Sequence, residues 1–151
     1  TDSEEPGIET MVAIMPTDSI TIKAFYSFDK LAGTNEDTTM FNMWAMYAEG
    51  PLTLAAEINS SEYTSLAAAD ASGYLLMANY AFDTFGVTLR YHDYQVEDAA
   101  GMTWEDMSAI TIAPSYAIND NLLMVFEYRM DSDDISGLDS DSIAIEALIT
   151  F

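Results

Sequence analysis

Three groups of residues in this chain have side chains whose reactivity depends on how they are spaced. The first is His92 with Asp93 beside it. An imidazole next to a carboxylate is the pairing on which general-base catalysis is built. No nucleophile motif accompanies it, and a lone histidine on a mixed polar face is more often a hydrogen-bonded wall residue. The second is the run DSDDISGLDSD, in which Asp131, Asp133, Asp134, Asp139 and Asp141 offer the hard oxygens that suit Ca²⁺. It departs from the EF-hand loop, because Gly137 falls one place late for Asp131 at position one and no glutamate closes it. The third group joins Lys23, Arg90 and Arg129, three of the four basic residues, to Glu9, Glu57, Glu127 and Glu146. Charges of both signs on one wet surface set up a transverse field of the kind that sorts ions; the plainer reading is that they neutralise one another. The methionines Met11, Met15, Met40, Met46 and Met77 fall on less apolar faces, where they fill space more readily than they bind a soft metal. No haem-attachment sequence is present.

Composition narrows the class. The chain has 151 residues, enough for one domain, and is 50% hydrophobic yet nearly neutral in mean hydropathy. Its longest apolar stretches, such as 74–78, fall far short of the roughly 20 residues that a membrane-spanning helix needs. A net charge of −22, from 26 acidic and 4 basic residues, excludes nucleic acid as a partner, since phosphates would be repelled, and excludes a polybasic surface anchor. There is no cysteine, so neither a disulfide framework nor a thiolate metal site can form. With neither an initiator Met nor a signal peptide, the sequence reads as a mature or partial chain. The apolar and aromatic content does not fit a disordered composition. The charge must therefore be segregated from the apolar surface.

The elements that would do this are strands. After an acidic lead over 1–6, nine strand-like runs follow, at 8–15, 20–28, 39–48, 52–61, 73–82, 86–95, 107–118, 122–131 and 142–151. Short connections of turn-forming residues at 16–19, 49–51, 83–85 and 119–121 alternate strictly with longer polar ones at 29–38, 62–72, 96–106 and 132–141. Within the runs, residues two apart share a face. Ile20, Ile22, Ala24, Tyr26 and Phe28 oppose Thr21, Lys23, Phe25 and Ser27. Leu122, Met124, Phe126, Tyr128 and Met130 oppose Leu123, Val125, Glu127 and Arg129. One face is dominated by large apolar side chains; the other mixes small, polar and charged ones. On the apolar face Tyr26, Phe28, Tyr47, Tyr74, Phe82, Tyr91, Tyr116, Tyr128 and Phe151 lie towards strand ends, as interfacial girdles would. The run 39–48 is apolar on both faces apart from Asn42. Pro114 sits inside the seventh run, where a missing donor predicts a bulge or local break.

The final run, SIAIEALITF, is the most specific stretch. Ile143, Ile145, Ala147, Ile149 and Phe151 occupy one face and the chain stops on the aromatic. It resembles the C-terminal strand of Gram-negative outer-membrane β-barrel porins. The resemblance implies that these five residues are the signal read by the barrel-assembly machinery. It also implies an all-β, antiparallel up-and-down transmembrane β-barrel in the bacterial outer membrane, with tight turns on the periplasmic side. The activity implied is passive diffusion of small hydrophilic solutes, with cation preference inferred from the acidic loops. Lys23, Glu57, Asn59, Asn79, Arg90, His92, Glu127, Arg129 and Glu146 would line the pore. The alternatives are a small-barrel enzyme of the protease or phospholipase type using His92 and Asp93, and a non-conducting barrel serving as anchor or scaffold. No cofactor is expected beyond a loop-bound Ca²⁺. The expected partners are outer-membrane lipid, lipopolysaccharide, the assembly machinery and further copies in a homo-oligomer. Strand parity adds one more expectation. A periplasmic C-terminus and nine strands put the start of the first strand outside, whereas bacterial barrels have even strand numbers. The chain thus reads as the C-terminal part of a larger barrel, whose remaining strands come from the same protein.

Overall fold

The computed structural model describes residues 7–30, 37–63 and 69–151. They form nine strands: β1 (Ile8–Thr17), β2 (Ile20–Lys30), β3 (Asp37–Glu49), β4 (Leu52–Tyr63), β5 (Ala69–Ala81), β6 (Phe85–Asp98), β7 (Thr103–Asn119), β8 (Leu122–Asp133) and β9 (Leu138–Ile149). Each pairs antiparallel with its neighbours in the chain, giving one sheet in the order β1 to β9. Among the described residues β1 and β9 are not paired with each other and form the two edges.

The tight turns all lie at one end. Gly50, at φ 56, takes the left-handed conformation that the Gly50-Pro51 turn requires and that costs a glycine nothing sterically. Each turn is also tied to the next hairpin. The carbonyls of Ser19, Pro51 and Thr84 accept from the N–H groups of Ala48, Ala81 and Ala117, each at 2.8 Å. The last turn holds the chain end, for Thr150 N–H donates to Asn121 O at 3.0 Å and Asn121 Nδ2 donates back to Thr150 O at 2.8 Å.

At the other end the strands run further than hydropathy suggests. β5 starts at Ala69 rather than at 73, β6 ends at Asp98 rather than at 95, and β9 starts at Leu138 rather than at 142. The connection after β6 shrinks to 99–102 and the one after β8 to 134–137. The reason is physical: beyond the apolar layer side chains need not alternate, so the sequence signal fades, while the backbone ladder goes on satisfying its own donors and acceptors. The acidic lead and much of the first two long connections lie outside the described residues.

Pro114 causes no bulge. It keeps its place opposite Val87 on β6. The ladder to β8 lapses at Ala113 and Pro114, then resumes at Ser115 opposite Val125 in an unchanged register. Register shifts occur elsewhere, at Ile14/Thr17, Val96/Glu97 and Ala117/Asn119.

This sheet has no core of its own. Among the described residues the buried apolar side chains are Ala109 and Ala113, while Leu76, Leu89 and Ile145 are 51%, 50% and 70% exposed. A Leu or Ile left in water forgoes about 1.5–3 kcal/mol, and one entire face is built of such residues. Something apolar other than this chain must cover that face.

Candidate functional site: the charged wall between β6 and β8

The pleat sends alternate residues to opposite sides, and the register carries that alternation across the sheet. Lys23 on β2 lies opposite Trp44, which lies opposite Glu57, then Leu75, His92, Ala109 and Asp131 in turn. The neighbouring row runs through Met46, Ala55, Met77, Arg90, Thr111 and Arg129. Followed in this way, Lys23, Glu57, Asn59, Asn79, Arg90, His92, Glu127, Arg129 and Glu146 all share one side of the sheet. Most of the large apolar residues share the other, although Phe25, Trp44, Leu75, Leu123 and Val125 lie on the charged side.

The densest grouping spans three strands. Arg90 on β6 donates to Glu127 on β8, and the pair reaches across β7. Strands two apart are separated by about 10 Å, so only long side chains can meet, and only above small residues. The residues beneath on β7 are Ala109, Thr111 and Ala113, which are 3%, 2% and 5% exposed. They are covered because the charged side chains arch over them.

Arg129 is held from two sides. Its Nε and Nη2 donate to Asp131 Oδ1 at 2.8 and 2.5 Å, and Nη2 lies 3.1 Å from His92 Nε2. A second grouping lies on β2 to β4. Asn42 Nδ2 donates to Glu57 Oε1 at 2.5 Å and to Asn59 Oδ1 at 3.1 Å, while Lys23 Nζ stands 5.5 Å from the centre of the Trp44 ring. Asn79 Nδ2 donates to Thr88 Oγ1 at 2.8 Å. Tyr94 donates to Glu105 Oε1 at 2.6 Å. Glu9, Glu57, Glu105, Glu127, Asp131 and Glu146 outnumber Lys23, Arg90 and Arg129 on this side.

Three sequence readings change. His92 and Asp93 are consecutive in a strand and point to opposite faces, so they form no pair: His92 meets Arg129, and Asp93 accepts from Tyr91 at 3.2 Å on the apolar side. Four of the five aspartates proposed for Ca²⁺ are divided in the same manner, Asp131 and Asp133 to one face and Asp139 and Asp141 to the other, while Asp134 lies in the turn after β8. Asp131 is taken by Arg129. Asp133 accepts from Ile135 N, Ser136 N and Ser136 Oγ, Asp139 from Ser132 Oγ, and Asp141 from Tyr128. No group of three or more ligating residues converges on a metal position among the described residues. Trp44, in a run that read as apolar on both faces apart from Asn42, belongs with Asn42 to the charged side. Counting parity from Lys23 through the β2–β3 pairing finds them.

The apolar side is banded. Near the tight turns Tyr80, Phe82 and Phe85 pack with ring centres 4.9 and 5.7 Å apart. Towards the other end Tyr74 and Tyr91 are 5.8 Å apart, and Tyr91 and Tyr128 turn their hydroxyls to Asp93 and Asp141. Rings with a polar handle suit a boundary that is oily on one side and wet on the other. Four residues of the C-terminal motif, Ile143, Ile145, Ala147 and Ile149, lie on this side of β9. Phe151 follows the strand, fully exposed.

A family model described as Gram-negative porin matches residues 13–147. Among solved structures the chain is similar to OmpT of Vibrio cholerae, an outer membrane protein. The in-vitro folded trimer form gives a TM-score of 0.73 at 13% identity, covering 93% of this chain and 54% of that one. A second in-vitro folded structure gives 0.75 at 13% identity with the same coverage. The outer-membrane expressed protein gives 0.70 at 14%, covering 93% and 52%. At these identities the likeness is one of fold, and the chain spans about half the length of the structures it matches. A sequence search of curated proteins finds no match.

Proposed function

This chain belongs to the Gram-negative porin family, proteins of the bacterial outer membrane, and from that premise we propose that it walls a water-filled channel for passive diffusion of small hydrophilic solutes, with preference for cations. The observation that carries the reading is the charged clamp from β6 to β8 on the side opposite the apolar bands. Ionised groups of both signs, partly exposed, need water beside them. With lipid against the other face, that water lies inside a barrel. The excess of carboxylates on the inner side supports cation preference, because it lowers the energy of a cation in the passage relative to an anion.

The rest of the barrel belongs to the proposal. Unpaired strand edges in lipid cost several kcal/mol per backbone group, so β1 and β9 pair with further strands of the same protein. The strand directions limit how many. β1 and β9 run the same way, so only an odd number of intervening strands closes the barrel antiparallel throughout. Lipid and lipopolysaccharide meet the apolar face, and further copies assemble beside it.

The test is single-channel recording of the whole barrel in planar bilayers. Open, cation-selective steps are expected. Glu127→Gln, which removes the countercharge of Arg90, should lower the cation-to-anion permeability ratio about fourfold, since one unit charge roughly 10 Å from the ion path in water shifts a cation and an anion by about 0.4 kcal/mol each, in opposite directions. Silence across preparations that are folded and inserted would contradict the reading.

A further inference from the structure

The contact between Arg129 and His92 fixes a protonation state. A guanidinium has only donors, so for Arg129 Nη2 to bond His92 Nε2 at 3.1 Å that nitrogen must carry a lone pair. The imidazole is then neutral, with its proton on Nδ1. Adding a second proton turns Nε2 into a donor facing a donor and sets two cations side by side. The contact cannot survive that change. Arg129 still has Asp131 to hold it, so it has somewhere to go.

We propose that His92 is a positioning residue for Arg129, and that protonation of this one imidazole resets both the placement of Arg129 and the charge of the channel wall, making ion selectivity depend on pH. This rests on the channel reading above. The groups around His92 are few. Directly opposite on β5 and β7 are Leu75 and Ala109, which do not titrate. Across β5 stands Glu57 on β4, and across β7 stand Arg129, Asp131 and Glu127 on β8. On β6 itself Arg90 and Tyr94 share the face, while Asp93 points away from it. His92 is the sole histidine of the chain. The incoming proton has to break the Arg129 contact, so the acid limit is set at pH 5.0, below the range of an ordinary imidazole and above that of ordinary carboxylates.

Reversal potentials across a KCl gradient, measured on the whole barrel at pH 7.5 and 5.0, give the first readout. The wild type should lose about fourfold in cation-to-anion permeability ratio as one positive charge is added. His92→Gln supplies an amide oxygen that accepts from Arg129 and does not titrate, so its profile should be flat. His92→Lys should show the acid value already at pH 7.5. A wild type without pH dependence in this window, or a His92→Gln profile that tracks the wild type, would overturn the proposal while leaving the channel reading intact. The second readout does not need conduction: ¹⁵N-histidine NMR of the untagged, micelle-folded protein. The neutral form with the proton on Nδ1 is expected at pH 7.5, and a proton on Nε2 would overturn the proposal even if no current were seen.

Discussion

Replacing Gly73 by alanine should weaken the fold although nothing polar is lost. A β-carbon there would lie 2.8 Å from both Asp93 O and Tyr94 Cβ. Neither atom is the loose end of a side chain, so the β5–β6 ladder itself must shift, at a cost of about 1–3 kcal/mol, read from urea unfolding of the inserted protein. The side chains of this wall show how far residue types alone can lead. Lys23, Arg90, Arg129, Glu57 and Glu127 could be put on one face by counting in twos, because the pleat imposes that period on every strand. Their partners could not. Asp131 read as a metal ligand because it sits among other aspartates, yet it faces Arg129, Asp133 on the same face is taken by Ser136, and Asp139 and Asp141 point the other way. His92 looked paired with Asp93 because they are adjacent in sequence, which in a strand is the one relation that keeps two side chains apart.

Neighbouring residues on one strand separate the two environments most sharply. Leu75 and Leu76 on β5 have the same side chain and differ only in the face they occupy. Leu76→Arg places a cation in the lipid layer and should destabilise the inserted protein by about 2–4 kcal/mol. Leu75→Arg places it between Glu57 and His92 on the wet side and should cost far less. Equal losses in equilibrium unfolding from liposomes would remove the distinction between the faces. The nine strands were legible wherever an apolar row faced lipid, since that row has to repeat every second residue. Their outer ends were not, and Asp106, Asp139 and Asp141 read as loop. They are strand because hydrogen bonding to the next chain segment does not require an apolar side chain. Pro114 was visible as a missing donor, but not the way the sheet accommodates it: the side towards β6 stays in register and only the side towards β8 lapses.

Taken together, the sheet is one wall with two unlike surfaces and no interior of its own. Hydrophobic burial, the main support of a water-soluble domain, is nearly absent from it: among the described residues no large side chain is fully buried. The stabilising partners are the backbone ladder, the lipid on one face, and the charged clamps and water on the other. Ala55 and Ala56 allow this division to be measured with little disturbance, because they are adjacent, equally small and on opposite faces of β4, in a chain without cysteine. Each is changed singly to cysteine in the whole barrel, inserted in bilayers and exposed to a charged, membrane-impermeant thiol reagent. Labelling of Ala55→Cys with protection of Ala56→Cys is the expected result; protection of Ala55→Cys, or labelling of Ala56→Cys in its place, would contradict a lipid-facing bulky surface backed by a wet interior.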